Sequence, residues 1–425
     1  MIQTKEIYNL FIKHKKISID SRKIEKDSIY FALKGDNFNG NKFAGQAIEK
    51  GAAFAIIDEE EYKNGDKFIL VENVLESLQE LSKLYRQKFD IPFIAITGSN
   101  GKTTTKELIN VVLRKKYKTH STLGNLNNHI GVPLTILSIP IDSEMVVVEM
   151  GANHIGEISK LCEIAQPNFG IITNIAKAHL EGFGGFDGVV IAKNELYESI
   201  NKDGVIFVNN DDELLLKLSD KLKKVKYGLT QKADCYAELN ELNPFVKLKW
   251  KGLEIQSQLL GKYNFDNIVA AICIGNYFGV DEEMIKSAIE NYKPQNNRSQ
   301  IVDTINNKVI LDAYNANPTS MKAAIESFKI IKAKKKIAIL GDMLELGEAS
   351  EIEHQQIKEF ACSQDFDKVI FVGEIFCSIC EKQNELCFED NQEVLSYLKD
   401  NKISGASVLI KGSRKIKLEV LLEEL

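Results

Sequence analysis

The segment Gly98-Ser99-Asn100-Gly101-Lys102-Thr103-Thr104-Thr105 sets two glycines, a lysine and several hydroxyls at a spacing suited to holding phosphate. It follows the apolar run Phe93-Ile-Ala-Ile-Thr97 and precedes Lys106-Glu-Leu-Ile-Asn-Val-Val-Leu113, which has helical spacing. Strand, glycine loop and helix in that order form the setting of a phosphate loop. Glycines let backbone N–H groups close around phosphate oxygens, and the helix N-terminus adds partial positive charge. Lys102 supplies a full charge, and the Thr103 hydroxyl can ligate Mg²⁺. The strict G-x-x-x-x-G-K-[ST] pattern is not met, because Ile96 stands where its first glycine would be.

A nucleotide site also needs a carboxylate for the metal, commonly at the end of a buried strand. Glu149 is so placed, directly after Met145-Val-Val-Val148. Alone it would read as a strand-end Glu facing solvent; a phosphate loop in the same sheet favours the metal role. His179 follows the next apolar run, Phe169–Thr173, and falls at the carboxyl edge where α/β sheets hold ligands, although a single histidine is more often structural. Lys193, in Ile191-Ala-Lys-Asn-Glu195, reads as an ordinary helical lysine. Cys377-Ser-Ile-Cys380, with Cys387 downstream, has metal-ligand or redox spacing, but no fourth Cys or His follows nearby and a metal role is disfavoured.

These residues need a scaffold, and 425 residues allow two to four domains. Apolar runs alternating with helical stretches predict an α/β protein of three domains. A small mixed α/β domain is expected over residues 1–90. A central phosphate-loop domain with a parallel sheet follows over 91–297, and a Rossmann-like α/β domain over 298–425, with the boundary in the loop Lys293-Pro-Gln-Asn-Asn-Arg298. The net charge of −6 lacks the footprint of a general nucleic-acid binder, so anionic ligands must be held locally. The Lys332–Lys336 patch runs straight into Ile337–Leu340 and reads as a solvated strand approach. Met1–Phe11 carries no signal-peptide pattern, no run reaches the roughly 18 apolar residues of a membrane helix, and seven cysteines suggest no disulfide framework. A cytoplasmic protein without membrane or nucleic-acid partners is expected.

Further blocks occur in order: Asp20-Ser21-Arg22 with Phe31-Ala-Leu-Lys34-Gly35; Gly124-Asn125-Leu-Asn127-Asn128-His129; Ala178-His-Leu-Glu-Gly-Phe-Gly184; Gly261-Lys-Tyr-Asn264-Phe-Asp-Asn267; Asp312-Ala-Tyr-Asn315-Ala-Asn317-Pro; Leu340–Gly347; and Lys411-Gly-Ser-Arg414. With Thr97–Thr105 and Glu149-Met-Gly151, this ordered set resembles the ATP-dependent Mur ligases over nearly the whole chain. The Asn-Leu-Asn-Asn and Tyr-Asn-Ala-Asn-Pro blocks favour the branch that adds D-alanyl-D-alanine to UDP-N-acetylmuramoyl tripeptide over a sibling ligase or a folylpolyglutamate synthetase-like enzyme. A phosphate-loop switch or motor protein would share only Gly98–Thr103.

The resemblance implies an acyl-phosphate ligase in peptidoglycan precursor synthesis, expected to act as a monomer. It implies that Lys102 and the loop amides hold ATP phosphates, with Asn264 and Asn267 near adenine and Arg298 and Asp312 near phosphates and ribose. Two Mg²⁺ ions are implied, one on Thr103 and Glu149, the other on His179 and a carbamylated Lys193. Ser21, Arg22, Lys34 and Gly35 match the block receiving the UDP portion. Asn125, Asn127 and Asn128 belong to a substrate block, and Asn315 and Asn317 fall where the dipeptide is expected. Asn39-Gly-Asn41 replaces the Asp-Gly-His common in the family, and His129 replaces a common Glu.

Overall fold

The computed structural model describes residues 4–295, 297–381 and 385–425. The start of the Met1–Phe11 segment and Asn296 of the Lys293–Arg298 loop lie outside the described residues. Among those residues the strands build three main sheets, one after another along the chain. The first is parallel, with Ile17–Ser18, Ile29–Phe31, Phe54–Ile57 and Phe68–Leu70 paired in sequence order. Helix α1 (Val74–Arg86) leads out of it. Asn73 caps α1 by accepting the Glu76 amide at 3.1 Å, and Val74, Leu78, Leu81 and Tyr85 recur at helical spacing on its buried face.

The second sheet is wholly parallel and has β1 (Phe93–Thr97) inside it. Helix α2 (Lys102–Leu113) follows β1, which pairs with β2 (Met145–Glu149) on one side and β3 (Phe169–Ile172) on the other. Every residue of β1 and β2 is buried. Phe93, Ala95, Val146 and Val148 enter one core, while Ile94, Ile96, Met145 and Val147 enter the core on the opposite face. Burial on both faces is why these strands read as unbroken apolar runs. Helices α1 and α3 (Phe186–Ser199) contribute to the first core, and α2 and α4 (Tyr263–Tyr277) to the second. The chain leaves β1 toward one edge of the sheet and β3, its neighbour, toward the other, so a crevice opens between their ends at the carboxyl edge.

An antiparallel three-stranded sheet spanning Glu238–Leu260 also packs on the second core, an addition to the expected parallel plan. In Phe245–Trp250 the residues Val246, Leu248 and Trp250 are buried while Lys247 and Lys249 alternate with them, the period of a half-covered strand.

The third sheet holds β4 (Lys308–Asp312), β5 (Lys336–Gly341) and β6 (Ser407–Lys411), with β6 between the other two. All its pairings are parallel except that of the edge strand Gln300–Asp303 with β4. Helix α5 (Pro318–Ile330) follows β4 and starts in a capping box made by Asn317 and Ser320.

The first and second sheets share an apolar core. Ile7, Phe31, Ile56, Leu78, Phe93 and Val146 belong to one continuous cluster, bridged by α1. Arg86 pins this junction: Nε donates to the Ala165 carbonyl at 2.7 Å, the two terminal nitrogens to Phe89 at 2.7 Å and Gln166 at 2.9 Å, and the guanidinium lies 3.6 Å over the Phe93 ring. Desolvation pushes its pKa down to about 10.

Cys380 forms a disulfide with Cys387, so the Cys377-x-x-Cys380 spacing does not mark a metal-binding pair. Among the described residues no helix is long and apolar enough to cross a membrane.

Candidate active site

The loop between β1 and α2 is held by the segment that follows β3. The Ser99 amide donates to the Asn174 carbonyl at 2.9 Å, and the Asn100 amide to Asn174 Oδ1 at 3.0 Å. Thr173 Oγ1 donates to the Asn100 carbonyl at 2.6 Å, and Ser99 Oγ to that of Ala176 at 3.0 Å. Gly98 and Gly101 have φ of 141° and 78°. A Cβ on Gly98 would collide with Thr173 Oγ1, and one on Gly101 would lie 2.7 Å from Asn267 Oδ1. Conformation and space therefore both demand glycine here. Lys102 folds back, its ammonium donating to the carbonyls of Gly98 at 2.7 Å and Ser99 at 3.1 Å. Enclosure pushes its pKa down to about 8, with Glu149 opposing the shift and Arg298 adding to it.

Glu149, buried at the end of β2, accepts on Oε1 from Thr103 Oγ1 at 3.1 Å and Asn127 Nδ2 at 2.8 Å. Its other oxygen, Oε2, is buried with no hydrogen-bond partner among the described residues. A desolvated carboxylate oxygen facing no donor is costly for a protein alone and suits a cation, so Thr103 and Glu149 fit a Mg²⁺. Asn100 Nδ2 and Arg298 Nε are likewise buried and unpartnered, and they are donors.

These groups border one cavity of about 630 Å³. From the central sheet it receives the loop from Ser99 to Thr104, then Asn127, Asn128, Glu149 and His179. Asn264 and Asn267 on α4 also line it, and Arg298, Asp312, Asn315 and Asn317 form its third-sheet wall. Gly98 shapes the loop from behind, while Asn125 is exposed and outside the lining. The α4 asparagines bond within the protein: Asn264 Nδ2 donates to the Leu260 carbonyl at 2.7 Å, Asn267 Nδ2 to Asn264 Oδ1 at 2.9 Å, and Thr105 Oγ1 to Asn267 Oδ1 at 3.0 Å. Asn317 Nδ2 donates to Asn100 Oδ1 at 2.8 Å and ties α5 to the phosphate loop.

Among the lining residues whose individual part the sequence does not reveal are Lys411, Tyr314 and Asn174. Lys411, buried at the end of β6, pairs with Asp312 Oδ2 at 2.6 Å and reaches the Asn315 carbonyl at 3.3 Å. The Tyr314 ring is flanked by Arg298 at 3.7 Å and by Arg414 at 5.0 Å, an arrangement that steadies Arg298. Asn174 fastens the loop as described. The Lys411 and Arg414 positions were visible as part of a block; their partners were not.

His179 reaches across from the central sheet, its Nδ1 bonded to Glu345 of the third-sheet unit. Lys193 sits behind the cavity wall on α3, 1 % exposed. Its ammonium has one hydrogen bond among the described residues, at 3.4 Å to the Ala152 carbonyl, and lies 5.0 Å over the Phe183 ring. Desolvation and then Lys102 push its pKa down to about 7, against the pull of Glu157 and Glu195. The ordinary helical lysine read from its spacing is thus fully enclosed.

The N-terminal set lines no part of this cavity. Ser21 is buried, with its carbonyl accepting from Lys50 Nζ at 2.8 Å. Arg22 pairs two-fold with Asp20 at 2.9 Å, and Lys34, beside Gly35, pairs with Asp58 at 2.9 Å. The Asn39-Gly-Asn41 departure is accommodated locally. Asn39 Oδ1 accepts the Asn41 amide, and Asn41 both donates to Asp58 Oδ1 at 2.8 Å and accepts the Asp58 amide at 3.0 Å. His129 is exposed on the cavity rim.

Three family profiles match along the chain: Mur ligase family, catalytic domain, over 13–86; Mur ligase middle domain over 96–275; and Mur ligase, glutamate ligase domain, over 297–414. The UDP-N-acetylmuramoyl-tripeptide--D-alanyl-D-alanine ligase of Bacillus subtilis is 35% identical over 423 residues, covering 96% of this chain and 92% of the relative. The structure of MurF from Acinetobacter baumannii superimposes with a TM-score of 0.87 at 31% identity, covering 97% of this chain and 93% of that one. MurF ligase from Thermotoga maritima in complex with ADP gives 0.85 at 26% identity, covering 97% of each. Family profiles in chain order from the first sheet to the third, together with relatives at 30% identity or more over nearly the full length, show that the chain belongs to the Mur ligase family.

Proposed function

We infer that the chain is an ATP-dependent carboxylate–amine ligase that joins D-alanyl-D-alanine to UDP-N-acetylmuramoyl tripeptide in peptidoglycan precursor synthesis. Names of full-length relatives support the substrates. The observation that carries the site reading is the set of buried, unpartnered atoms around one cavity: Glu149 Oε2 asks for a cation, while Asn100 Nδ2 and Arg298 Nε ask for an anion. A metal-bound polyphosphate satisfies all three.

An acceptor carboxylate oxygen attacks the γ-phosphorus of ATP, forming an O–P bond as the bond to the β–γ bridging oxygen breaks and ADP leaves. The dipeptide amine then attacks the acyl carbon, a C–N bond forms, phosphate departs and the nitrogen loses its proton. Lys102 and the loop amides hold the phosphates in place, and Arg298 offsets charge from the opposite wall. Asn264 and Asn267 border the end assigned to adenine, and Asp312 the ribose and phosphate side. Asn315 and Asn317 are assigned to the dipeptide, Asn125, Asn127 and Asn128 to the acceptor peptide, and Ser21, Arg22, Lys34 and Gly35 to its UDP portion. Thr103 and Glu149 would hold one Mg²⁺, and His179 with a carbamylated Lys193 a second, the ions neutralising charge where two anions meet.

Carbamylation is supported by the setting of Lys193. Its neutral nitrogen attacks the carbon of CO₂, forming an N–C bond and a carboxylate and releasing a proton, and a buried amine without an ion-pair partner favours that neutral state. We assign residues 1–90 to the acceptor nucleotide, 91–297 to ATP and 298–425 to the closing unit, in a monomer acting in the cytoplasm. The test is ADP release with each UDP-muramoyl peptide, with and without D-alanyl-D-alanine. Release that requires both substrates is expected; release independent of the dipeptide overturns the assignment.

A further inference from the structure

We propose that Glu345 is a positioning residue for His179, supplied from the third-sheet unit, so that the histidine is aimed into the cavity only when that unit is docked. The inference rests on the ligase reading above and adds to it a role for a residue that the sequence shows only as one member of the Leu340–Gly347 block. Glu345 Oε2 meets His179 Nδ1, and the Glu345 carbonyl accepts the Glu181 amide at 3.5 Å. Both residues have left-handed backbones, φ 52° at His179 and 66° at Glu345. Residues with side chains hold that conformation when their surroundings over-determine it, and such strain gathers at functional sites.

Although exposed, Glu345 stands on a fastened loop. The Met343 amide donates to His354 Nε2 at 2.9 Å, the Leu344 amide to Ser413 Oγ at 3.0 Å, and Leu346 is buried. On the facing side, Lys177 pairs with Glu353 at 2.6 Å, bringing the same two segments together. The His179 ring lines the cavity and meets the Phe183 ring edge to face. A carboxylate on Nδ1 fixes the proton there and leaves the Nε2 lone pair free for a ligand, the usual support for a ligating imidazole. Here that support comes from a different unit of the chain, which makes docking and orientation of the histidine one event.

Long-range ¹H–¹⁵N spectra of histidine-labelled, metal-free protein test this, together with kinetics of the wild type, Glu345→Ala and Glu345→Gln. In the wild type the His179 ring should be the Nδ1–H tautomer. Glu345→Ala should shift it toward Nε2–H and lower kcat roughly 10- to 100-fold, with KM for ATP little changed. Glu345→Gln, whose amide oxygen still accepts, should be intermediate in both. Wild-type ring state and kcat in Glu345→Ala overturn the proposal. Where Glu345→Ala does not fold, the ring state of Glu345→Gln decides: a partial shift supports the proposal and none overturns it. Wild-type protein that releases no dipeptide-dependent ADP overturns the ligase reading alone, because the ring state is read without substrate or metal.

Discussion

Lys193 illustrates what a single residue owes to its surroundings. In free solution its amine would be charged at neutral pH, yet here it is cut off from water, with Lys102 near enough to repel a second positive charge. Lys193→Ala should abolish ligation while ADP binding, measured by calorimetry, stays within a few-fold of wild type. Full turnover in that variant removes the carbamate reading. Glu149→Gln tests the other side of the site. It should raise the Mg²⁺ requirement and lower kcat/KM by a factor on the order of 100, leaving ADP binding without Mg²⁺ little altered. Unchanged Mg²⁺ dependence would exclude Glu149 as a ligand. Thr103 and Glu149 were legible in sequence because loop and strand end announce themselves locally. Lys193 was pointed to by the family resemblance and not by its own spacing, because its enclosure arises from Phe183 and Ala152, which no helical periodicity places beside it.

At the scale of elements, the apolar strands Phe93–Thr97 and Met145–Glu149 could be read with their ends in place, since burial on both faces leaves an unbroken signal. The antiparallel strands of Glu238–Leu260 could not, because their alternating lysines resemble a solvated surface until Trp250 is seen to be covered. The Asp312–Lys411 pair joins strand ends 99 residues apart and follows from the register of β4 on β6, which sequence alone does not give. Helix α4 carries a testable cost. Burial and the neighbouring Asp211 push the Asp266 carboxyl up to about 6. A carboxyl raised in the fold above its unfolded value favours the folded state below about pH 4, and this is lost as pH rises through about 6. Asp266→Asn should therefore stabilise the protein by about 1–3 kcal/mol at pH 7 to 8 and hardly at all at pH 4. Urea titrations at the two pH values check this; an equal effect at both would refute it.

For the whole molecule, the junction near residue 90 is the least expected feature. A three-unit reading suggests exposed linkers, whereas the first two sheets share one core and Arg86 fills the seam between them. Arg86→Ala leaves three backbone carbonyls short of a donor and should destabilise by about 2–4 kcal/mol. Arg86→Lys should restore little, since an ammonium cannot reproduce the fan of a guanidinium. Urea midpoints and the rate of proteolytic cleavage between residues 86 and 93 report it, and wild-type values for both would show the seam to be carried by apolar packing alone.

That fused seam has a mechanical corollary. If the uridine end of the acceptor rests on the first sheet and its reacting carboxylate must meet ATP beside β1, the span between them is set by a rigid frame. The frame then acts as a gauge: an acceptor peptide one residue too short cannot bring its carboxylate to the nucleotide, however tightly its uridine end is gripped.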